Sequence, residues 1–198
     1  MGRKSNEQII KEQGVTIRDL SKAYTFLLCA TVIFLYSIRS LTFSYRDVTI
    51  SSMSILLPVV YFVSCITTKD LGYKYGAMSV IISTITLFFY GAFVNFFTTG
   101  NFQVGSICVI TLAYFTTQSI CLSTYNYFLV NTRLPIFVVI GNYMFSSLVF
   151  NMIYMLFNYK MVVTDTFWLE YLLLVMLQLF LAIVLAIFDC LVERGIDN

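Results

Sequence analysis

The sequence predicts an all-α, polytopic membrane protein: a six-helix transmembrane bundle with both termini in the cytoplasm. Three observations predict it. Hydrophobic residues make up 59% of the chain and charged residues 11%, against about 25% charged in a soluble domain. Mean hydropathy is +0.85. Six apolar stretches follow residue 22, each long enough to cross a hydrocarbon core of roughly 30 Å, which takes about 20 residues of helix.

Residues 1–22 form a polar, cytoplasmic N-terminal segment holding five of the twelve Lys and Arg residues. They lack the apolar core and small-residue cleavage site of a signal peptide and are expected to be retained. Ile9, Ile10, Val15, Ile17 and Leu20 give the segment weak amphipathicity, compatible with a short helix at the membrane surface or a frayed tail. The spans are expected at about 23–38, 48–66, 77–97, 104–126, 135–157 and 167–189, one transmembrane domain over 23–192, with 193–198 as a cytoplasmic tail.

Charge placement orients them. With the N-terminus inside, Arg3, Lys4, Lys11, Arg18, Lys22, Lys69, Lys74, Arg133 and Arg194 are cytoplasmic, and Arg39, Arg46 and Lys160 are outside. Nine against three obeys the positive-inside rule. Arg39 and Lys160 sit at span ends, where long side chains snorkel. Tyr24, Phe43, Tyr45, Phe96, Phe97, Tyr127, Tyr159 and Trp168 fall where interfacial belts belong.

The chain has no histidine, so the commonest general base and zinc ligand is missing. No GxSxG, HExxH, Walker A or paired-carboxylate motif occurs. An enzyme is not expected, nor a metal, a cofactor or a nucleic-acid partner. Cys29, Cys65, Cys108, Cys121 and Cys190 lie within or at the ends of spans without paired short spacing, and read mostly as small buried hydrophobes rather than a disulfide framework.

Polar residues inside the spans are costly and mark either helix contacts or a solute path. Span three carries Thr84, Gly91 and Asn95; span four Thr111, Tyr114, Gln118, Cys121 and Tyr125; span five Asn142 and Ser146; span six Gln178. Amides and phenols donate and accept, which suits a small, neutral, planar solute. Asp165, Glu170 and Asp189 lie at span ends, so no carboxylate is at mid-membrane to support ion coupling.

Span two and the turn after it read Leu57-Pro58-Val59-Val60-Tyr61-Phe62-Val63-Ser64-Cys65-Ile66-Thr67-Thr68-Lys69-Asp70-Leu71-Gly72-Tyr73-Lys74-Tyr75-Gly76. Pro58 removes a helix hydrogen bond and is expected to bend the span, opening space beside Tyr61 and Cys65. Lys69, Asp70 and Lys74 mark the water boundary, and Gly72 and Gly76 permit a tight turn.

This stretch resembles the queuosine-precursor transporter family, also called vitamin uptake transporter-like. The match runs through Pro58, Tyr61, Gly72, Tyr73 and Lys74, with Lys69 at the family's second charged position. It continues more faintly through Ser146-Ser147-Leu148-Val149-Phe150, similar to an Asp-Ser/Thr-apolar-apolar-Phe segment. The resemblance implies a multi-pass protein of a prokaryotic cytoplasmic membrane that imports a 7-deazaguanine-type precursor. A solute site is expected at Tyr61, Cys65, Gln118, Asn142, Ser146 and Gln178, positions that either match the family's site or share a helical face. The chain departs from the family there: an acidic residue falls on Cys65, an aspartate on Ser146 and a lysine near Gln178. Those departures motivate a second reading, a non-transporting membrane subunit or anchor on the same fold, with a protein partner or a second copy beside it in the bilayer.

Overall fold

The structure is a computed structural model and describes residues 16–45, 48–99, 104–131, 136–158 and 167–196. The sequence-predicted segment before Thr16, and Arg46, Arg133, Tyr159 and Lys160, lie outside the described residues, as do the side chains of Tyr45, Trp168, Cys190 and Arg194.

Helix α1 is Ile17–Ser37. Thr16 caps it by accepting from the Asp19 amide at 3.2 Å, with Asp19 in the positive first turn. The helix therefore starts inside the segment expected to be extramembrane. A 3-10 turn at Ile38–Ser40 ends it. The chain then forms an antiparallel hairpin of β1 (Thr42–Tyr45) and β2 (Val48–Ser51), with Thr42 opposite Ser51 and Phe43 opposite Ile50.

The hairpin corrects the expected start of span two at residue 48. Thr-Phe-Ser-Tyr and Val-Thr-Ile-Ser alternate polar and apolar with period two, a strand pattern rather than a helical one. Ile50 buries against Leu174 and Ile55, fixing the hairpin on the last helix.

Span two is Ser52–Leu71, built from α2 (Ser52–Ile55) and α3 (Leu57–Leu71). Gly72, at φ +94°, is the whole link to α4 (Tyr73–Thr99), a backbone that favours glycine. Helices α5 (Val104–Asn131), α6 (Ile136–Asn158) and α7 (Phe167–Ile196) complete six crossings. The chain is a multi-pass membrane protein with an all-α, six-helix bundle.

Span two is the central helix. Over an 18-residue apolar stretch of it 67% of residues are buried, against 22% over the corresponding stretches of the first and last spans, and α3 touches every other spanning helix. Its neighbours turn Phe26, Phe34, Phe89, Phe93, Phe137 and Phe180 outward, the faces that meet lipid.

Small and hydroxyl residues set the helix contacts, as membrane packing requires. Thr25 and Ser79 join α1 to α4 at 2.7 Å. A Cβ on Gly91 would lie 3.1 Å from the Tyr36 ring, so the glycine lets α4 approach that tyrosine. The expected turn role of Gly76 is corrected: it lies within α4, and a Cβ there would sit 2.1 Å from Thr68 Oγ1. Arg39 stacks its guanidinium 3.8 Å from the centre of the same Tyr36 ring. At the opposite end of the bundle Lys69 Nζ meets Asp189 Oδ1 at 3.0 Å, and the Tyr24 hydroxyl donates to Asp70.

Candidate functional site: a polar centre at mid-membrane

Tyr61, Gln118 and Ser146 each fall at the middle of their own span. Three helices bring them together. Tyr61 of α3 donates its hydroxyl proton to Thr117 Oγ1 (3.1 Å) or the Ser146 carbonyl (3.2 Å). Ser64 lies 2.7 Å from Gln118 Oε1. Cys65 and Cys121 touch, sulfur to sulfur, at 3.7 Å as free thiols. Asn142 Nδ2 donates to the Cys121 carbonyl (3.0 Å) and sulfur (3.2 Å). Five of the six expected site residues thus form one cluster between α3, α5 and α6.

The cluster is closed. Cys65, Gln118 and Ser146 are 0% exposed and Tyr61 1%, which corrects the expected open space beside Tyr61 and Cys65. The reason is the phenol itself, which fills the gap between α5 and α6 and bonds to both. The helix is nonetheless interrupted where Pro58 predicts, at Leu56 between α2 and α3.

Three of its polar side chains are not satisfied by protein. Asn142 Oδ1, Ser146 Oγ and Gln118 Nε2 are buried without a partner. For Gln118 the shortfall does not depend on which way its amide is turned. The Ser64 hydroxyl has one proton and two acceptors in reach, Gln118 Oε1 and the Tyr61 carbonyl at 2.9 Å. Given to Tyr61, it leaves Ser64 to accept from a turned amide, and Gln118 Oε1 becomes the orphan instead. Buried polar atoms without partners cost about 1–3 kcal/mol each, so three around one centre mark capacity for a ligand or water.

Gln178 is elsewhere. Its Nε2 donates to the Ser54 carbonyl at 2.6 Å, and its Oε1 accepts from Asn151 Nδ2 at 3.3 Å. In an unbroken helix the Ser54 carbonyl would accept from the amide of residue 58, and Pro58 has none. Gln178 supplies the missing donor. It clamps the break in span two from α7, nearer the hairpin than the polar centre.

The other motif residues lie at the bundle end opposite the hairpin. Lys69 holds Asp189, Gly72 makes the turn, and Tyr73 and Lys74 are exposed. The cluster also contains Ser64 and Thr117, not singled out in the sequence. Tyr61, Ser64, Cys65 and Thr68 recur at helical spacing and were the available signal for a polar face on α3. Among the described residues no group of His, Cys, Asp and Glu could hold a metal. No protein-family model, curated protein or solved structure matches this chain.

Proposed function

We propose that this membrane protein is a facilitative carrier for a small, neutral, hydrogen-bonding heterocycle, of which a 7-deazaguanine precursor of queuosine is the leading example. One observation carries the reading: the incompletely satisfied polar centre of Gln118, Asn142 and Ser146 at mid-membrane. A lactam edge presents a carbonyl beside an N–H. The carbonyl takes the Gln118 amide donor and the N–H takes Asn142 Oδ1, with Ser146 able to do either. Tyr61 gives an aromatic wall. Burial of the centre corresponds to an occluded form, and the break before Pro58 gives span two a place to move.

Without carboxylates in the centre, recognition rests on neutral bonds of about 0.5–1.5 kcal/mol each. The test is uptake of a labelled 7-deazaguanine by cells lacking their own transporter. Uptake that Asn142→Leu abolishes at unchanged expression supports the carrier. No uptake by well-expressed wild type supports the second reading, a non-transporting membrane subunit. That reading is favoured by the closure of the centre and by the internal pairing of Lys69 with Asp189.

A further inference from the structure

A groove runs along the outside of the bundle between α4 and α5. Its inner stretch, about 200 Å³, is walled by Val80, Ile81, Phe115 and Leu122, with Gln118 and Ser119 on its floor. Its other stretch, about 380 Å³, is lined by Ser123, Asn126, Tyr127 and Asn131. Tyr73 borders both, so the two stretches adjoin. Ile81 and Phe115 are 44% and 41% exposed on the lipid face, so the groove opens sideways into the bilayer.

We propose that this groove is a binding site for one anionic phospholipid of the leaflet that adjoins the α3–α4 turn. The order of its walls matches the order of groups in a lipid. Hydrogen-bonding side chains cluster at the end where α4 begins and α5 ends, and the apolar walls Leu122, Val80, Ile81 and Phe115 follow toward mid-membrane above the floor of Gln118 and Ser119. The length matches too. At about 1.5 Å per residue, Asn126 to Phe115 spans about 16 Å, close to half of a hydrocarbon core of roughly 30 Å. An acyl chain laid against Leu122 and Phe115 therefore puts its phosphate level with Tyr73, Asn126 and Asn131.

The donors there are free to turn toward it. The Tyr73 hydroxyl is only weakly engaged, 3.4 Å from Ser123 Oγ, and among the described residues the Asn131 amide bonds its own helix, the Tyr127 carbonyl at 2.9 Å. Lys74 follows Tyr73 and is exposed, and among the described residues no acidic side chain lines either stretch. That charge pattern selects an anionic headgroup over a zwitterionic one.

Native mass spectrometry of the full chain in mild detergent tests this, with phosphatidylglycerol and phosphatidylethanolamine of matched chains as probes. Wild type is expected to retain one phosphatidylglycerol in preference, by about fivefold, the weight of one lysine near a membrane surface. Lys74→Met should erase the preference. Asn126→Leu with Asn131→Leu should weaken retention of both lipids, and so should Ser119→Trp, which fills the inner groove. Phe89→Trp, on the lipid face of α4 away from the groove, should change nothing. The rim variants keep the test decisive if Ser119→Trp fails to fold. Equal retention of both lipids, indifferent to these variants, means ordinary annular lipid and overturns the proposal. So does displacement of the bound lipid by glycerol phosphate alone, which would mark a headgroup site without a chain groove.

Discussion

Two sets of buried polar side chains divide this protein. Around the break in span two, Gln178 and Asn151 spend their hydrogen bonds on the protein, one of them on the carbonyl that Pro58 strands. At the polar centre, Gln118, Asn142 and Ser146 keep polar atoms that no protein group meets. Both sets are intramembrane and nearly inaccessible. The difference teaches that depth and residue type do not separate a structural amide from one able to bind; the completeness of its bonding does. A saturated amide holds a fold together, and an unsaturated one is a cost the fold bears for some other reason.

The sharpest way to break this comparison is at the clamp. Gln178→Leu orphans both the Ser54 carbonyl and the Asn151 amide. It should cost about 2–3 kcal/mol, given about 1–3 per orphaned group and smaller values between membrane helices. Pro58→Ala restores an amide in reach of the Ser54 carbonyl, so the double variant should recover about 1 kcal/mol of that loss. Thermal unfolding in detergent reads both. A double variant no more stable than Gln178→Leu would show that the clamp does not answer the proline.

Packing gives the next effect. Gly76→Ala drives a methyl to within 2.1 Å of Thr68 Oγ1 and 2.9 Å of Leu122 Cδ2. Overpacking of this kind costs about 1–3 kcal/mol. Thr68→Ala should restore most of the loss in the pair, as coupled neighbours do.

A smaller effect belongs to Lys69 and Asp189, whose side chains are 20% and 13% exposed. Lying between a surface pair and a buried one, the bridge should lose about 1–2 kcal/mol on Lys69→Met. Lys69→Met with Asp189→Leu should be more stable than the single change, because the second substitution removes a carboxylate left largely buried without its partner. An equally unstable double variant would mean that packing, not charge, holds α3 to α7.

The six spans were legible because hydropathy at this length is a strong signal. The hairpin was legible in the alternation of Val48 to Ser51, yet an apolar count overruled the period. The grouping of Tyr61, Cys65, Gln118, Asn142 and Ser146 followed from mid-span depth and shared helical faces. Gln178 was misgrouped by the same rule. It too lies deep in its span, but its partner is a backbone carbonyl, and backbone vacancies are not written in side-chain patterns. Only the arithmetic of Pro58, whose missing amide strands the carbonyl four residues earlier, pointed there.

The smallest expected stability effect sharpens the comparison most. Gln118→Leu removes the unsatisfied atom together with the Oε1 that Ser64 approaches, and Ser64 keeps the Tyr61 carbonyl as acceptor. No buried partner is then stranded, so stability should change by less than about 1 kcal/mol. Gln178→Leu, the same substitution two helices away, should cost several times more. Function should reverse the order: on the carrier reading, Gln118→Leu abolishes uptake while the protein remains folded. Wild-type uptake should be flat between about pH 5 and 8, since the chain has no histidine and its polar centre is built from neutral groups. If Gln118→Leu proves as destabilising as Gln178→Leu, its amide is structural after all and the polar centre loses its claim to a ligand. If it is stable and uptake persists, the solute lies elsewhere.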